Sequence, residues 1–600
     1  MQIAEEAGYW KDVLKRIVST VVFIAERGLA FRGSDENVGS PHNGNYLGIL
    51  ELIAEFDPFL AGHIKEHGNK GKGHVNYLSS TVCEEVIDIL GEKVLDEIVS
   101  RLKKAKYYSV SVDSTPDESH IDQLTVVVRY VEGMIPVERF LTFIPNSGHK
   151  GEELAETLLS YLQKKGIAIC DARGQSYDNA PNMGGKYNGM QALVLKKNPL
   201  AVHIPCCAHS LNLVGKAAAN SCSDAVLFFS FMEQLFVFFT NSTSRYQILI
   251  LKLSASCKSK NEFYILKRLS DTRWSCRADA AKALFVGYLP IIEALRSICD
   301  NVEEKDIVRN EARGLLRTMY RLETAVYAKF WYEILERFNA TNKDLQSPQM
   351  TLNTAVKSLE ALKSFVSSKR DKFDEYETAG QQLSKTETYE TGRTKTPSVR
   401  RQPLDYGQTP ASSLSPREKF RTESFLSVID QMIVSLTQRT AAYSVVCARF
   451  GFLANLENLT DDEVGIAAQN LVNNYPDDLE SSLGNEFVQL KAFSKHCEKN
   501  EKETTELFLY RVIMENDLKC TFMNSEIALR MYLSLMVSNC EDERSFSKLK
   551  IIKNRLRTSM LQDRLVNLTR MSIENDILRE CNFDNIVEVL ANKKARKHHF

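Results

Sequence analysis

The period of the apolar residues changes at residue 107. Before it, Trp10, Leu14, Ile17 and Val21 recur at three- and four-residue spacing, and "YLSSTVCEEVIDILGEKVLDEIVSRLKK" opens on Ser/Thr caps. Residues 1–105 therefore read as an N-terminal helical region. After it, "YYSVSVD", "QLTVVVRYV" and "PVERFLTFI" are three short β-rich runs with period 2, separated by turn residues. They predict two adjacent hairpins. A helix ("GEELAETLLSYLQKKG") follows, then a short apolar run "IAICD" leading into "GQSYDNAPNMGG", then the helix "NGMQALVLKK", the strand-like "AVHIPCC" and the helix "AHSLNLVGKAAA". A chain that makes three antiparallel strands and then alternates strand with helix has few sheet orders open to it.

That element order belongs to an RNase H-like mixed sheet. The expected fold class is mixed α/β: an RNase H-like core interrupted by a large all-α insertion, with the helical region in front. The core's first part is expected at 106–215 and the insertion at 216–530. The C-terminal part of the core is expected at 531–600, ending in the basic tail "ANKKARKHHF". Within the insertion, residues 376–418 are rich in Thr, Ser, Gln, Gly and Pro and read as a mobile loop. Six hundred residues are too many for one core.

Charge and cysteine usage exclude some classes. With 76 Lys+Arg against 77 Asp+Glu, the overall field does not steer a polyanion, so a nucleic-acid partner would be held by local basic patches. The 13 cysteines form no pairs at zinc-finger spacing and suggest no disulfide framework, which fits a reducing compartment. The N-terminus lacks the apolar core of a signal peptide. The most apolar segment, "AVLFFSFMEQLFVFFT", is interrupted by Glu233 and Gln234 and reads as a buried helix; no membrane span is expected.

Two acids stand at strand ends. Asp113 closes the first β-run, and Asp178 sits in a Gly-, Asn- and Pro-bearing loop straight after the fourth. A lone aspartate in such a place is usually a cap or a surface carboxylate. If the fourth strand lies parallel beside the first, however, the two carboxylates face each other across one sheet edge, a costly arrangement unless a divalent cation lies between them. Metal-assisted phosphoryl displacement of that kind wants a third acid.

Four blocks carry a family resemblance: "SVDSTPDESHIDQLTVVVRYV"; "GQSYDNAPNMGGKYNGMQ"; "CCAHSLNLV" with the later "SDTRWSCR"; and "CEDERSFSKLKIIKNRLRTSM". In this order the chain resembles hAT-superfamily DNA transposases, above all the transposase-derived proteins named after zinc-finger MYM-type and TTF-type domains. The resemblance implies a DDE triad at Asp113, Asp178 and Glu543 that holds Mg²⁺ or Mn²⁺, DNA as substrate, a nuclear location, and a C-terminal dimerisation region giving a homodimer or higher homo-oligomer. Read by itself, Glu543 only opens a helix whose stripe Phe546, Leu549, Ile552, Leu556 and Met560 would dock on the sheet, where a first-turn Glu is a favourable dipole partner.

Further DNA-binding candidates come with alternatives. Lys550, Lys553 and Arg557 share a helix face, which is either a phosphate contact or a solvated basic face. Cys206 and His209 match the family's Cys-x-x-His element, implied to position DNA; a buried structural pair competes. A zinc site using His203 as well has no obvious fourth ligand. Trp274, flanked by Arg273 and Arg277, is either a core tryptophan or the aromatic that the resemblance implies stacks on a displaced base. The family often carries an N-terminal zinc finger, and the first cysteine here is Cys83, so none is expected in these residues. Two functions stay open: a DDE transposase, or a domesticated non-catalytic nuclear protein acting through dimerisation and nucleic-acid or protein binding. A processive nuclease fits poorly with the long helical insertion.

Overall fold

The computed structural model describes residues 2–70, 76–256, 264–270, 274–347, 350–390, 414–501, 503–582 and 586–588. The chain divides into two compact units: Met1–Cys206 together with Val445–Phe600, and Cys207–Ser444. The first unit is built on a five-stranded sheet of β1 (Tyr108–Pro116), β2 (Asp122–Glu132), β3 (Ile135–Pro145), β4 (Ala172–Ser176) and β5 (Val202–His203). Its order is β3-β2-β1-β4-β5, with β1–β2 and β2–β3 antiparallel and β4 and β5 joined in parallel to β1. The RNase H-like expectation is met.

Strand alternation explains one face. Tyr108, Val110 and Val112 of β1 join Val126, Val128 and Tyr130 of β2 in the core cluster. The opposite face carries Ser109, Ser111, Thr125 and Ser176, and these are buried too. Residues 533–546 cover it: Arg129 on β2 donates through Nε to the Leu533 carbonyl at 3.2 Å. The approach there is tight enough to require Gly174, since a Cβ on it would lie 2.3 Å from Ser109 Oγ and 3.1 Å from Leu535 Cδ2. Alternation alone reads a polar strand face as wet, and here a helix lies on it.

Two segments far apart in sequence complete this unit. Helix Gln562–Ile573 packs on helix Ser80–Ala105 and on β3, and the guanidinium of Arg570 lies between them. Residues 445–530, expected within the insertion, belong to the first unit instead. Asp478 ties them to the sheet by accepting from Tyr107 Oη at 2.8 Å and from Arg173 Nε at 3.0 Å, at the starts of β1 and β4.

The second unit is helical. Among the described residues one helix, Ser223–Thr240, is long and apolar enough to cross a membrane; Phe228, Phe229, Met232, Leu235, Phe238 and Phe239 are buried in this unit, as expected of a core helix. Its Phe229 ring meets Trp331 edge-on at 4.8 Å. The loop expected at 376–418 is shorter than its composition suggests. Helix Phe373–Ser384 continues through its first residues because Tyr376 is buried and donates to Glu333 Oε2 at 2.7 Å. Tyr389 likewise donates to Glu377 Oε1 at 2.8 Å, and Arg417, next to the helical start at Pro416, donates to the same carboxylate at 2.8 Å. The remainder of that expected loop, 391–413, lies outside the described residues.

Candidate active site

Parallel pairing of β1 and β4 sets Ser111 opposite Ser176. Asp113 and Asp178 each follow two residues later in the chain, after a pair of strands that lie about 4.8 Å apart. Asp113 is inside β1, three residues short of its end, and Asp178 is two residues past the end of β4. Both are half-buried. Backbone amides orient them: Asp113 Oδ1 accepts from Ser114 N at 2.8 Å, and Asp178 Oδ1 from Ala180 N at 3.0 Å.

Glu543 comes from helix Cys540–Ile552, whose first turn carries Glu541, Asp542 and Glu543. The helix begins at Asn539 and lies against β1, β2 and β3. Glu543 is exposed, whereas Asp542 is wholly buried at 0 %. A carboxylate that must meet a substrate has to be reachable, and of the two acids Glu543 is the reachable one.

The electrostatics join the three acids. Burial pushes the Asp113 carboxyl up to about 7; the Ser114 amide opposes this, and the negative charges of Asp178, Glu543 and Asp122 add to it. Asp542 is pushed well above the carboxylate range, first by burial, with the Ser111 hydroxyl opposing and the Asp113 charge adding. An all-oxygen donor set of this kind suits a hard cation such as Mg²⁺ or Mn²⁺. Among the described residues no three His, Cys, Asp or Glu groups close on one ion-sized point, so these acids share a field without forming a finished cage.

The other candidates fare unevenly. Lys550 is exposed. Lys553 is not a surface cation: it is 3 % exposed and donates through Nζ to the buried Asp117 at 2.7 Å. Arg557 is half-buried and donates to the Gly28 carbonyl at 3.4–3.5 Å. The shared basic face therefore does not form. The helix ends at Ile552, Lys553 is drawn to Asp117, and the Asn554 side chain accepts from Leu556 N at 3.0 Å to turn the chain. Leu556, expected on the apolar stripe, is consequently 94 % exposed, and a new helix starts at Gln562. Removing Lys553 as alanine leaves the buried Asp117 charge without its cation, held by Gln123 and the Ser119 and Ile121 amides, an expected loss of about 3 kcal/mol or more in chemical denaturation. A variant of unchanged stability with a shallower salt dependence of DNA binding would return Lys553 to the phosphate-contacting set.

Cys206 is buried, and its Sγ accepts from Asn539 N at 3.3 Å. His209 is half-buried on helix Cys207–Ala219 of the second unit. Arg273 lies outside the described residues; Trp274 opens helix Trp274–Val286, and its side chain also lies outside them. The Arg277 guanidinium stacks on the Phe229 ring at 4.8 Å within the second unit. Asp542 was not singled out by sequence reasoning. Its signal is its place on the stripe 542, 545, 546, 549 and 552, whose other members are the buried Ser545, Phe546, Leu549 and Ile552.

Comparison with known proteins agrees with this core. Residues 2–189 match a family described as DUF4371, the RNase-like domain of ZMYM1/FAM200. The match to an RNase-like domain agrees with the strand order of the first unit. The chain is 22% identical over 297 residues to the mouse protein called the 52 kDa repressor of the inhibitor of the protein kinase, covering 48% of this chain and 38% of the relative. The human protein of that name is 22% identical over 244 residues, 39% and 30% of the two chains. The chain thus spans well under half the length of these curated relatives. A solved structure, the Drosophila P element transposase strand transfer complex, aligns over 85% of this chain and 96% of its own at 10% identity, with a TM-score of 0.23, too low to add to the argument from strand order.

Proposed function

We propose that the first unit is a DDE-type centre for divalent-metal-dependent cleavage and transfer of DNA strands. One observation supports the reading: Ser111 and Ser176 are register partners, Asp113 and Asp178 each follow two residues later, and the helix bearing Glu543 lies against β1, β2 and β3. These three carboxylates would hold Mg²⁺ or Mn²⁺, which when bound supplies charge stabilisation at the attacking and leaving oxygens. The chain's own part is to orient: the Ser114 and Ala180 amides fix one oxygen of each aspartate, and the sheet holds both strands rigid. Of the predicted phosphate contacts, the exposed Lys550 is the one in this unit that keeps a free path to DNA. A nuclear location follows from a DNA substrate. A second copy joined through the C-terminal region is part of the reading, checked by light scattering of the intact chain as a mass of 68.0 kDa or twice that.

A second reading has its own support. Lys553 and Arg557 are spent on internal contacts and the acids do not close into a cage, as suits a domesticated nuclear protein that binds without cutting. The deciding experiment is nicking of supercoiled plasmid by the purified intact chain in Mn²⁺. The expected result is nicking that Asp113→Asn, Asp178→Asn and Glu543→Gln each abolish. Undiminished nicking by any of the three removes that residue from the triad, and an inert native chain that still retards DNA favours the binding reading.

A further inference from the structure

Beside the three acids runs a second set of side chains that no catalytic role accounts for. Asn539 Oδ1 accepts from Ser176 Oγ of β4 at 2.8 Å. Asp542 Oδ2 accepts from Ser111 Oγ of β1. Ser545 Oγ lies 3.0 Å from Thr125 Oγ1 of β2 while donating to the Asp542 carbonyl at 2.6 Å. All six residues are buried. Read in chain order, positions 539, 542 and 545 meet β4, β1 and β2, which is also their order in the sheet.

The spacing has a geometric cause. Three residues of α-helix advance about 4.5 Å, and adjacent strands lie about 4.8 Å apart. A helix laid across the strands therefore offers one residue to each strand every three positions. The strand side shows a matching pattern. Ser111 precedes Asp113 by two residues in "SVD", Ser176 precedes Asp178 by two in "SYD", and the two serines are direct register partners. Thr125 is the register partner of Asp113 itself. Each hydroxyl thus ties the start of the Glu543 helix to a strand at, or two residues from, an aspartate position. Two buried atoms at this seam, Asn539 Nδ2 and Asp542 Oδ1, have no hydrogen-bond partner among the described residues. A merely structural seam would gain by replacing such groups with apolar ones.

We propose that Asn539, Asp542 and Ser545, with Ser176, Ser111 and Thr125, form a positioning ladder that fixes Glu543 relative to Asp113 and Asp178. Asp542 is a positioning residue here and touches neither metal nor DNA. The inference rests on the metal-binding reading above, and its test separates the two. Free Mn²⁺ is followed by electron paramagnetic resonance as the intact chain is titrated, without DNA. Asp113→Asn reports on the metal site. Asp542→Ala and Ser176→Ala report on the ladder, and Asp542→Asn, which keeps an acceptor for Ser111, is the conservative rescue.

The native chain is expected to bind Mn²⁺ and Asp113→Asn to lose it. Asp542→Ala and Ser176→Ala should weaken it about 10-fold or more, the usual cost of removing a group that orients a ligand, with Asp542→Asn near the native value. Native affinity in both alanine variants overturns the ladder. If the native chain binds no Mn²⁺, the metal reading fails by itself and amide exchange of residues 540–546 decides the ladder: faster exchange in Asp542→Ala and Ser111→Ala, with the rest of the sheet unchanged, upholds it, and native exchange rates overturn it. A variant too unstable to purify is replaced by Ser545→Ala, read by the same exchange measurement.

Discussion

In metal-free buffer at pH 8, Asp113→Asn is expected to melt several degrees above the native chain, although it abolishes any metal-dependent nicking. Burial, with the charges of Asp178, Glu543 and Asp122, lifts the Asp113 carboxyl from 3.8 to about 7. The folded chain therefore binds this proton more tightly than the unfolded chain does. Its stabilising effect is full below about pH 4 and is lost as pH rises through about 7. A gap of that size sets a ceiling of about 4 kcal/mol, from which relaxation of a half-buried site subtracts. An uncharged amide escapes the penalty at pH 8. Added Mn²⁺ should raise the native melting temperature and leave that of Asp113→Asn unmoved, while nicking falls by about 10³-fold or more, the equivalent of several kcal/mol of lost charge stabilisation. Calorimetry with and without metal checks the first part; equal melting of the two metal-free chains at pH 8 would show that the acids do not repel one another.

Arg570→Leu should be, with the loss of Lys553, among the most damaging single changes outside the acids. This arginine is 2 % exposed and each of its three nitrogens has a partner: Nε and Nη2 reach the Leu141 carbonyl of β3 at 3.0 and 2.8 Å, and Nη1 reaches the Gly91 carbonyl at 2.9 Å and Asn567 Oδ1 at 3.1 Å. Leucine takes this donor from the Leu141 carbonyl and Asn567 Oδ1, while the Gly91 carbonyl keeps its bond within helix Ser80–Ala105; at about 1–3 kcal/mol for each buried acceptor left unsatisfied, a total near 3–5 kcal/mol is expected. The helices cannot close the gap, because a Cβ at Gly91 would already lie 2.5 Å from the Asn567 side chain. Amide exchange in β2 and β3 under increasing urea reads the effect. Unaltered protection would mean that apolar packing alone holds helix Gln562–Ile573 in place.

What was legible in the sequence was local. The period-2 runs after residue 107 marked β1 to β3, whereas "IAICD", read as the fourth strand, ends in the 3-10 turn Ile169–Asp171, and β4 is the less apolar Ala172–Ser176 that follows it. The family blocks then pointed at three acids, which the sheet register and a shared field bring into one neighbourhood. What escaped was partnership. The helices between 445 and 530 have the same amphipathic pattern as those before them, and periodicity says that a face is buried without saying against what. Contacts such as those of Asp478, more than 300 residues from its partners Tyr107 and Arg173, and of Arg530 with the Ala105 carbonyl assign that segment to the sheet unit. Lys553 misled for the same reason. A lysine at a helix end reads as solvated until Asp117, 436 positions earlier, is seen to face it.

The sheet unit is written in two pieces, with Cys207–Ser444 between them. On a ribosome this becomes a delay. At roughly 5–20 residues per second, some 20–70 s separate the emergence of β5 from that of the helix bearing Glu543. Throughout that interval Asp113 and Asp178 have no third acid, and the polar faces of β1, β2 and β4 have no cover. A nascent chain is therefore unable to assemble the three-acid site proposed above, and one halted before residue 539 stays so, with a half-built sheet that exposes what chaperones bind.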